Sequence, residues 1–195
     1  MKIVLVVSIA FLLGLTPRAM LARQTGAGRE EAVVTQLDNQ LSYVEREVIA
    51  AAEAMPDSKY SFIPAGGDFK GVRNFAQQVK HIAIGNYHIY GPIIPHDPEA
   101  ETGDKGTASV QTKQQILKYL RDSFIFAHRA VAAINSQNML LPVKHAPNRA
   151  AATPLELAVF GCSHGSDIYG QMVEYLRMNA IVPPASVNSH MPLPD

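Results

Sequence analysis

Seven histidines and a single cysteine are the side chains of this sequence best suited to holding a metal or moving a proton. His164 is set apart by its surroundings, the stretch TPLELAVFGCSHGSDIYGQMVEYLRMNAIVPP from Thr153 to Pro184. At about 100° per residue, Leu155, Val159, Cys162, Tyr169, Val173 and Leu176 share one side of the helix this stretch predicts. Leu157, Phe160, His164, Ile168 and Tyr175 share the opposite side, and Glu156, Ser163, Asp167 and Glu174 form the polar strip between. A helix apolar on two faces is packed from two directions, which places His164 inside the protein. A buried imidazole needs a partner, either a hydrogen bond from a neighbouring helix or a metal ion. Cys162 falls on the apolar seam, where an inert structural thiol is expected.

The ends of this helix are written in the sequence. Thr153, Pro154 and Glu156 make a capping box with proline at the first helical position, and Pro183 and Pro184 are expected to stop it. Further upstream, Val34, Leu37, Leu41, Val44 and Val48 recur at spacings of three and four, predicting a helix from about Glu30 to Ala54. The segment PDSKYSFIPAGGD that follows reads as a loop. Asp68 can cap a second helix running to about Tyr90, with Val72, Phe75, Val79, Ala83 and Tyr90 on its apolar side. Its other side carries Asn74, Gln77, Gln78, His81, Gly85 and His88, either a solvated face or the wall of an internal polar cavity. Residues 91–110 read as a long loop holding His96. A third helix from about Thr112 to Ile134 has Ile116, Leu120, Phe124, Ala127, Val131 and Ile134 as its seam, with His128 one step off it and in need of no special role. Residues 135–152 form another loop. Four striped helices and no strand predict an all-α four-helix bundle, whose sites are built from side chains of facing helices.

Lys2 and the apolar run Ile3 to Leu15 have the shape of a secretory signal, too short to span a bilayer as a stable anchor, the alternative being an uncleaved N-terminal anchor. The expected organisation is a signal peptide at 1–25, cleaved near residues 20–28, a bundle at 30–186, and a disordered tail at 187–195. The destination is periplasmic or secreted, with no membrane association after cleavage. Roughly 170 residues then remain, one ordinary domain with length enough for a sizeable core. With one cysteine, an intramolecular disulfide is excluded despite the oxidising compartment. Seventeen basic and seventeen acidic residues, without a long basic run, argue against nucleic acid as partner. A small molecule and a second copy of the chain are the partners left in view.

The segment HGSDIYGQMVEYLRMNAIVPPAS, from His164 to Ser186, resembles the last-helix signature of the DinB superfamily: H, three residues, HYGQ, then YLRMNGIVPPAS. The segment FKGVRNFAQQVKHIAIGNYHIYG resembles the family's second helix, and Tyr60, Phe62 and Pro64 match its Tyr-x-Phe-x-Pro loop. The resemblance implies a four-helix bundle of unusual connectivity holding a divalent metal, zinc or nickel, on three histidines with positions open for water or a thiol. Such an ion lowers the pKa of a bound water or thiol and makes a nucleophile of it, and relatives of this kind are metal-dependent hydrolases or thiol transferases. Carried over, His81 and His164 are two of the three ligands, and the third falls on Ile168, which coordinates nothing. Ala180 stands where the family has glycine. Asp167, three residues after His164, has the spacing to complete a metal set of His81, His164 and Asp167, although it groups with the solvated strip. His88 lies seven residues beyond His81, roughly 10 Å along the helix and too far to share an ion. The expectation is an exported protein with a degenerate site whose metal is weakly bound or absent; the competing one is an active hydrolase or thiol transferase completed by Asp167 or water.

Overall fold

The computed structural model describes residues 17–94, 109–144 and 152–187, and all the regular structure among them is helical. The elements are α1 (Pro17–Ala54), α2 (Phe75–Tyr90), α3 (Lys113–Ala132), α4 (Pro154–Met178) and a short α5 (Pro184–Val187). Most of the expected signal segment and of the tail, together with His96 and His145, lies outside the described residues. Val187 closes α5 rather than opening the tail. Among the described residues no helix is long and apolar enough to cross a membrane.

Each helix boundary has a local cause. α1 begins at Pro17, well before the expected Glu30, because Met20, Leu21, Ala22, Arg23 and Gln24 are good helix formers that outweigh Gly26 and Gly28. Burial against the core starts only with Val34 and Leu37 and is complete at Leu41, Val44 and Val48. The carbonyls at the end of α1 and of Met55 just past it are met by tertiary partners: Lys113 Nζ donates to Glu53 O (2.9 Å) and Met55 O (2.8 Å), and the Tyr60 hydroxyl donates to Ala52 O (2.7 Å).

α2 starts later than the expected Asp68. Asn74 and Gln77 form a reciprocal capping box, with Gln77 N donating to Asn74 Oδ1 (2.8 Å) and Asn74 N to Gln77 Oε1 (2.9 Å). Gly71, at φ +79°, turns the chain just ahead of it in a conformation that a helix does not use. The expected seam of α3 is buried from Ile116 to Ile134, and Thr112 caps it.

The Thr153 side chain accepts from Glu156 N (3.2 Å) at the start of α4, with Pro154 at the first position. The prolines at 183 and 184 do not end this helix. It closes earlier, in a Schellman motif: Ala180 N donates to Arg177 O (2.9 Å) and Ile181 N to Leu176 O (3.0 Å), with Ala180 left-handed at φ 59°. Glycine would enter this conformation without steric penalty.

The reading of α4 as apolar on two faces also gives way. Its buried side is one broad stripe of Leu157, Gly161, Gly165, Ile168, Met172 and Leu176, and Val159 is 54 % exposed. Two glycines in that stripe let the neighbours approach. A Cβ on Gly161 would stand 2.4 Å from the Tyr90 hydroxyl, and one on Gly165 would stand 2.7 Å from Val44 Cγ1.

α1 packs on α3 and α4, and α2 packs on the same two, so α1 and α2 occupy opposite corners of the bundle. Cross-helix pairs give the directions. Val44 meets Gly165 and Glu47 meets Tyr169, so α1 and α4 run the same way. Glu53 pairs with Arg121 and Asp38 with His128, so α3 runs against α1. Gln78 meets Gln171 and Tyr90 meets Ala158, so α2 runs against α4 and therefore along α3. The loop from Met55 to Asn74 crosses the diagonal, pinned by Tyr60 on Phe75 and Phe62 on Tyr175 at ring separations of 5.3 and 5.8 Å. Phe75, Tyr90, Phe124, Leu157 and Met172 are fully buried in the core, each stabilising the fold by roughly 1.5–3 kcal/mol.

Candidate functional site

The facing surfaces of α2 and α4 bring together two histidines 83 residues apart. His81 Nε2 and His164 Nε2 are 3.3 Å from one another, with ring centroids 5.1 Å apart and the planes tilted by 59°. One imidazole donates and the other accepts. His164 has room for this contact because α2 carries Gly85 opposite its ring, where a Cβ would stand 2.6 Å from His164 Cε1. The glycine belongs to the same polar stripe as His81, and its function there is close approach.

The stripe divides in three dimensions. Gln78, Gly85 and Asn86 are buried, His81 is half-buried, and Gln77 and His88 are exposed. His164 itself is half-buried, but its Nδ1 is enclosed and has no hydrogen-bond partner among the described residues. Burial holds the His164 pKa below the usual imidazole value; the Asp167 charge opposes that shift and Arg73 adds to it.

Asp167 is exposed, on the solvated strip with Glu156, Ser163 and Glu174. Its Oδ2 accepts from Gln171 Nε2 (3.2 Å), and Gln171 Oε1 in turn accepts from Gln78 Nε2 (2.8 Å). Among the described residues no group of three His, Cys, Asp or Glu side chains gathers where it could hold a metal ion. Ile168, one turn beyond His164, is 4 % exposed and packed in the core.

Two arrangements escaped the sequence reading. His128, expected to have no special role, is clamped between α1 carboxylates: Nδ1 lies 2.6 Å from Asp38 Oδ1 and Nε2 lies 3.1 Å from Glu45 Oε2. The hydrogen bond that His128 donates to Glu45 and the pairing with Asp38 outweigh burial and push its pKa up to about 9. Asp38 and Glu45 are one pair of helical turns apart on α1, and that spacing beside a facing histidine was the available signal. Glu47, only 7 % exposed, accepts from the Tyr169 hydroxyl (3.0 Å) and lies 3.6 Å from Arg46 Nε. Burial first and then Glu47 push the Tyr169 pKa up to about 12.

Cys162 is buried beside the Tyr90 hydroxyl at 3.8 Å, and burial raises its pKa, so little thiolate is present near neutrality. The DinB superfamily profile matches residues 40–172, a span that contains His81 and His164, all of α2 and most of α4. The chain belongs to the DinB superfamily. The matched span ends inside α4, so the YLRMNAIVPPAS part of the resemblance lies beyond it. Comparison with curated proteins finds no match.

Two neighbouring clefts open beside α2 of this DinB protein, and His81 lines the first of them. One, of about 430 Å³, is lined by Arg73, Gln77, Lys80 and His81. The other, of about 530 Å³, is lined by Phe69, Gln78, Gln171, Tyr175 and Met178. They share Gly71, Val72 and Arg73.

Proposed function

We propose that this is an exported DinB-superfamily protein whose metal site is degenerate, and that the cavity beside His81 and His164 binds a small molecule instead of running metal-dependent chemistry. The observation that carries this reading is the donor set. Two nitrogens bound to one tetrahedral zinc stand about 3.4 Å apart, and the 3.3 Å between His81 Nε2 and His164 Nε2 would suit such corners. The third corner has no donor: Ile168 occupies the signature position, and Asp167 is turned to Gln171. A three-histidine ion therefore does not fit the residues present, and each missing ligand removes affinity and rigidity. Without a metal the pair is an imidazole–imidazole hydrogen bond with His81 lining the smaller cleft.

Export is supported by Lys2 and the apolar run that follows it. Cleavage near residues 20–28 would shorten α1 by its first turns and leave the core-facing part from Val34 intact.

Elemental analysis of the purified mature protein, equilibrated with zinc and nickel beside His164→Ala and Ile168→His variants, tests the reading. The expected result is sub-stoichiometric metal in the wild type and near-stoichiometric metal in Ile168→His. Stoichiometric metal in the wild type, lost in His164→Ala, would sink it and make an active hydrolase or thiol transferase completed by Asp167 or water the better account.

A further inference from the structure

We propose that the two clefts meeting at Arg73 form one site for a small organic anion with an apolar body and an N–H or O–H donor between the two. The proposal deepens the binding reading of the same cavity and needs no metal.

The donor requirement follows from the polarity of a side-chain relay. A carboxylate only accepts, so Asp167 Oδ2 takes the Gln171 amide with its NH₂ facing it. Gln171 therefore turns its oxygen to Gln78, and Gln78 must turn its own NH₂ to Gln171. The leftover group is Gln78 Oε1, an acceptor on a residue that is 2 % exposed, with no partner among the described residues. Reversing the Gln78 amide would bring two oxygens together, so the unmet valence of Gln78, a residue that lines the larger cleft, is fixed as an acceptor. A buried acceptor of this kind is satisfied by a donor.

The remaining walls assign the rest of the ligand. Phe69, Val72, Tyr175 and Met178 give the larger cleft its apolar sides. Its one carboxylate, Glu174, already accepts from Arg177 NH1 at 2.7 Å. The smaller cleft has no acidic residue among those lining it and carries Arg73 and Lys80, the latter steadied by a bond from Nζ to Val110 O (3.3 Å). The anionic end belongs there, with the apolar body lying across Val72. The shared wall is itself held in place, because the Tyr175 hydroxyl donates to Arg73 O (2.9 Å).

Isothermal titration of the full chain in EDTA, with N-benzoylglycine and N-acetylphenylalanine as probes, tests this. Both acids are expected to bind saturably at millimolar concentration or below. Methylating the probe's amide nitrogen should weaken binding on the order of fivefold, and replacing its carboxylate by a methyl amide on the order of tenfold. Arg73→Gln should weaken the acids by a similar factor while leaving the methyl amides unchanged. The ligand series on the wild-type chain stands by itself if that variant folds poorly. Absence of saturable binding, or equal binding of acids, N-methyl acids and methyl amides, overturns the proposal. Because EDTA is present throughout, such a failure would leave the metal-content result untouched.

Discussion

Two histidines in this bundle, each at a helix interface, have opposite fates. His164 on α4 meets another imidazole, keeps one nitrogen unmet and is held below its ordinary pKa by burial. His128 on α3 meets two carboxylates of α1 and is pushed up to about 9. The difference teaches that helical position alone does not set a histidine's chemistry; the facing helix does. The His128 contact is a charge clamp that ties α1 to α3. His164 faces Gly85 and His81 and has no carboxylate partner.

The sharpest test of this contrast is a pH titration of the ring nitrogens by NMR on metal-free protein. His128 is expected to stay protonated until about pH 9, while His164 loses its proton below the ordinary value near 6.5. Titration of both at one pH would erase the distinction.

Next in size is His128→Leu. A raised folded-state pKa contributes stability that is fully present below the unfolded value near 6.5 and is lost as pH rises through about 9. Because Asp38 is 47 % exposed, screening reduces the effect, and the variant should cost on the order of 1–2 kcal/mol below pH 6.5. Denaturant melts should show the gap closing toward pH 10; a cost independent of pH would mean that packing, not charge, is what His128 supplies.

A change that touches neither histidine calibrates the scale. Ala180→Gly relieves the left-handed residue at the end of α4 and should raise stability by about 1 kcal/mol, read from the same melts. No gain there would show that the Schellman turn is already relaxed.

The smallest effect is expected for His164→Leu. Near pH 8 it exchanges a polar ring with an unmet nitrogen for an apolar side chain, and stability should change by under about 0.5 kcal/mol. A depressed folded-state pKa means that the wild type loses stability as pH falls below about 6.5, so the variant should become the more stable of the two near pH 5. A large loss at pH 8 instead would mean that the pair with His81 is a structural bond.

Much of the scaffold can be read along the chain. The seam of α3 from Ile116 to Ile134 and the core positions of α1 from Leu41 onward are buried as their spacing demands, because a helix displays its own periodicity in sequence. The start of α2 is not legible in the same way: Asp68 is an eligible cap, yet the Asn74–Gln77 pair closes a reciprocal box and Gly71 bends the chain ahead of it. Pro183 and Pro184 are eligible stops for α4, yet the hydrogen bonds around Ala180 terminate it first.

At the site, the sequence by itself determined which side chains exist to do chemistry: His81 and His164 on two amphipathic helices, and isoleucine rather than histidine at 168. Such residue identities, with helical period and caps, are local properties. The tertiary structure decided the rest. It set His81 against His164 across α2 and α4, divided the polar stripe into buried Gln78 and exposed His88, gave His128 its two carboxylates, and fixed the direction of the Gln78–Gln171–Asp167 relay. Those outcomes depend on which helix faces which and at what register, and that is settled by packing between residues far apart in the chain, here governed by glycines at 85, 161 and 165 that let the helices approach.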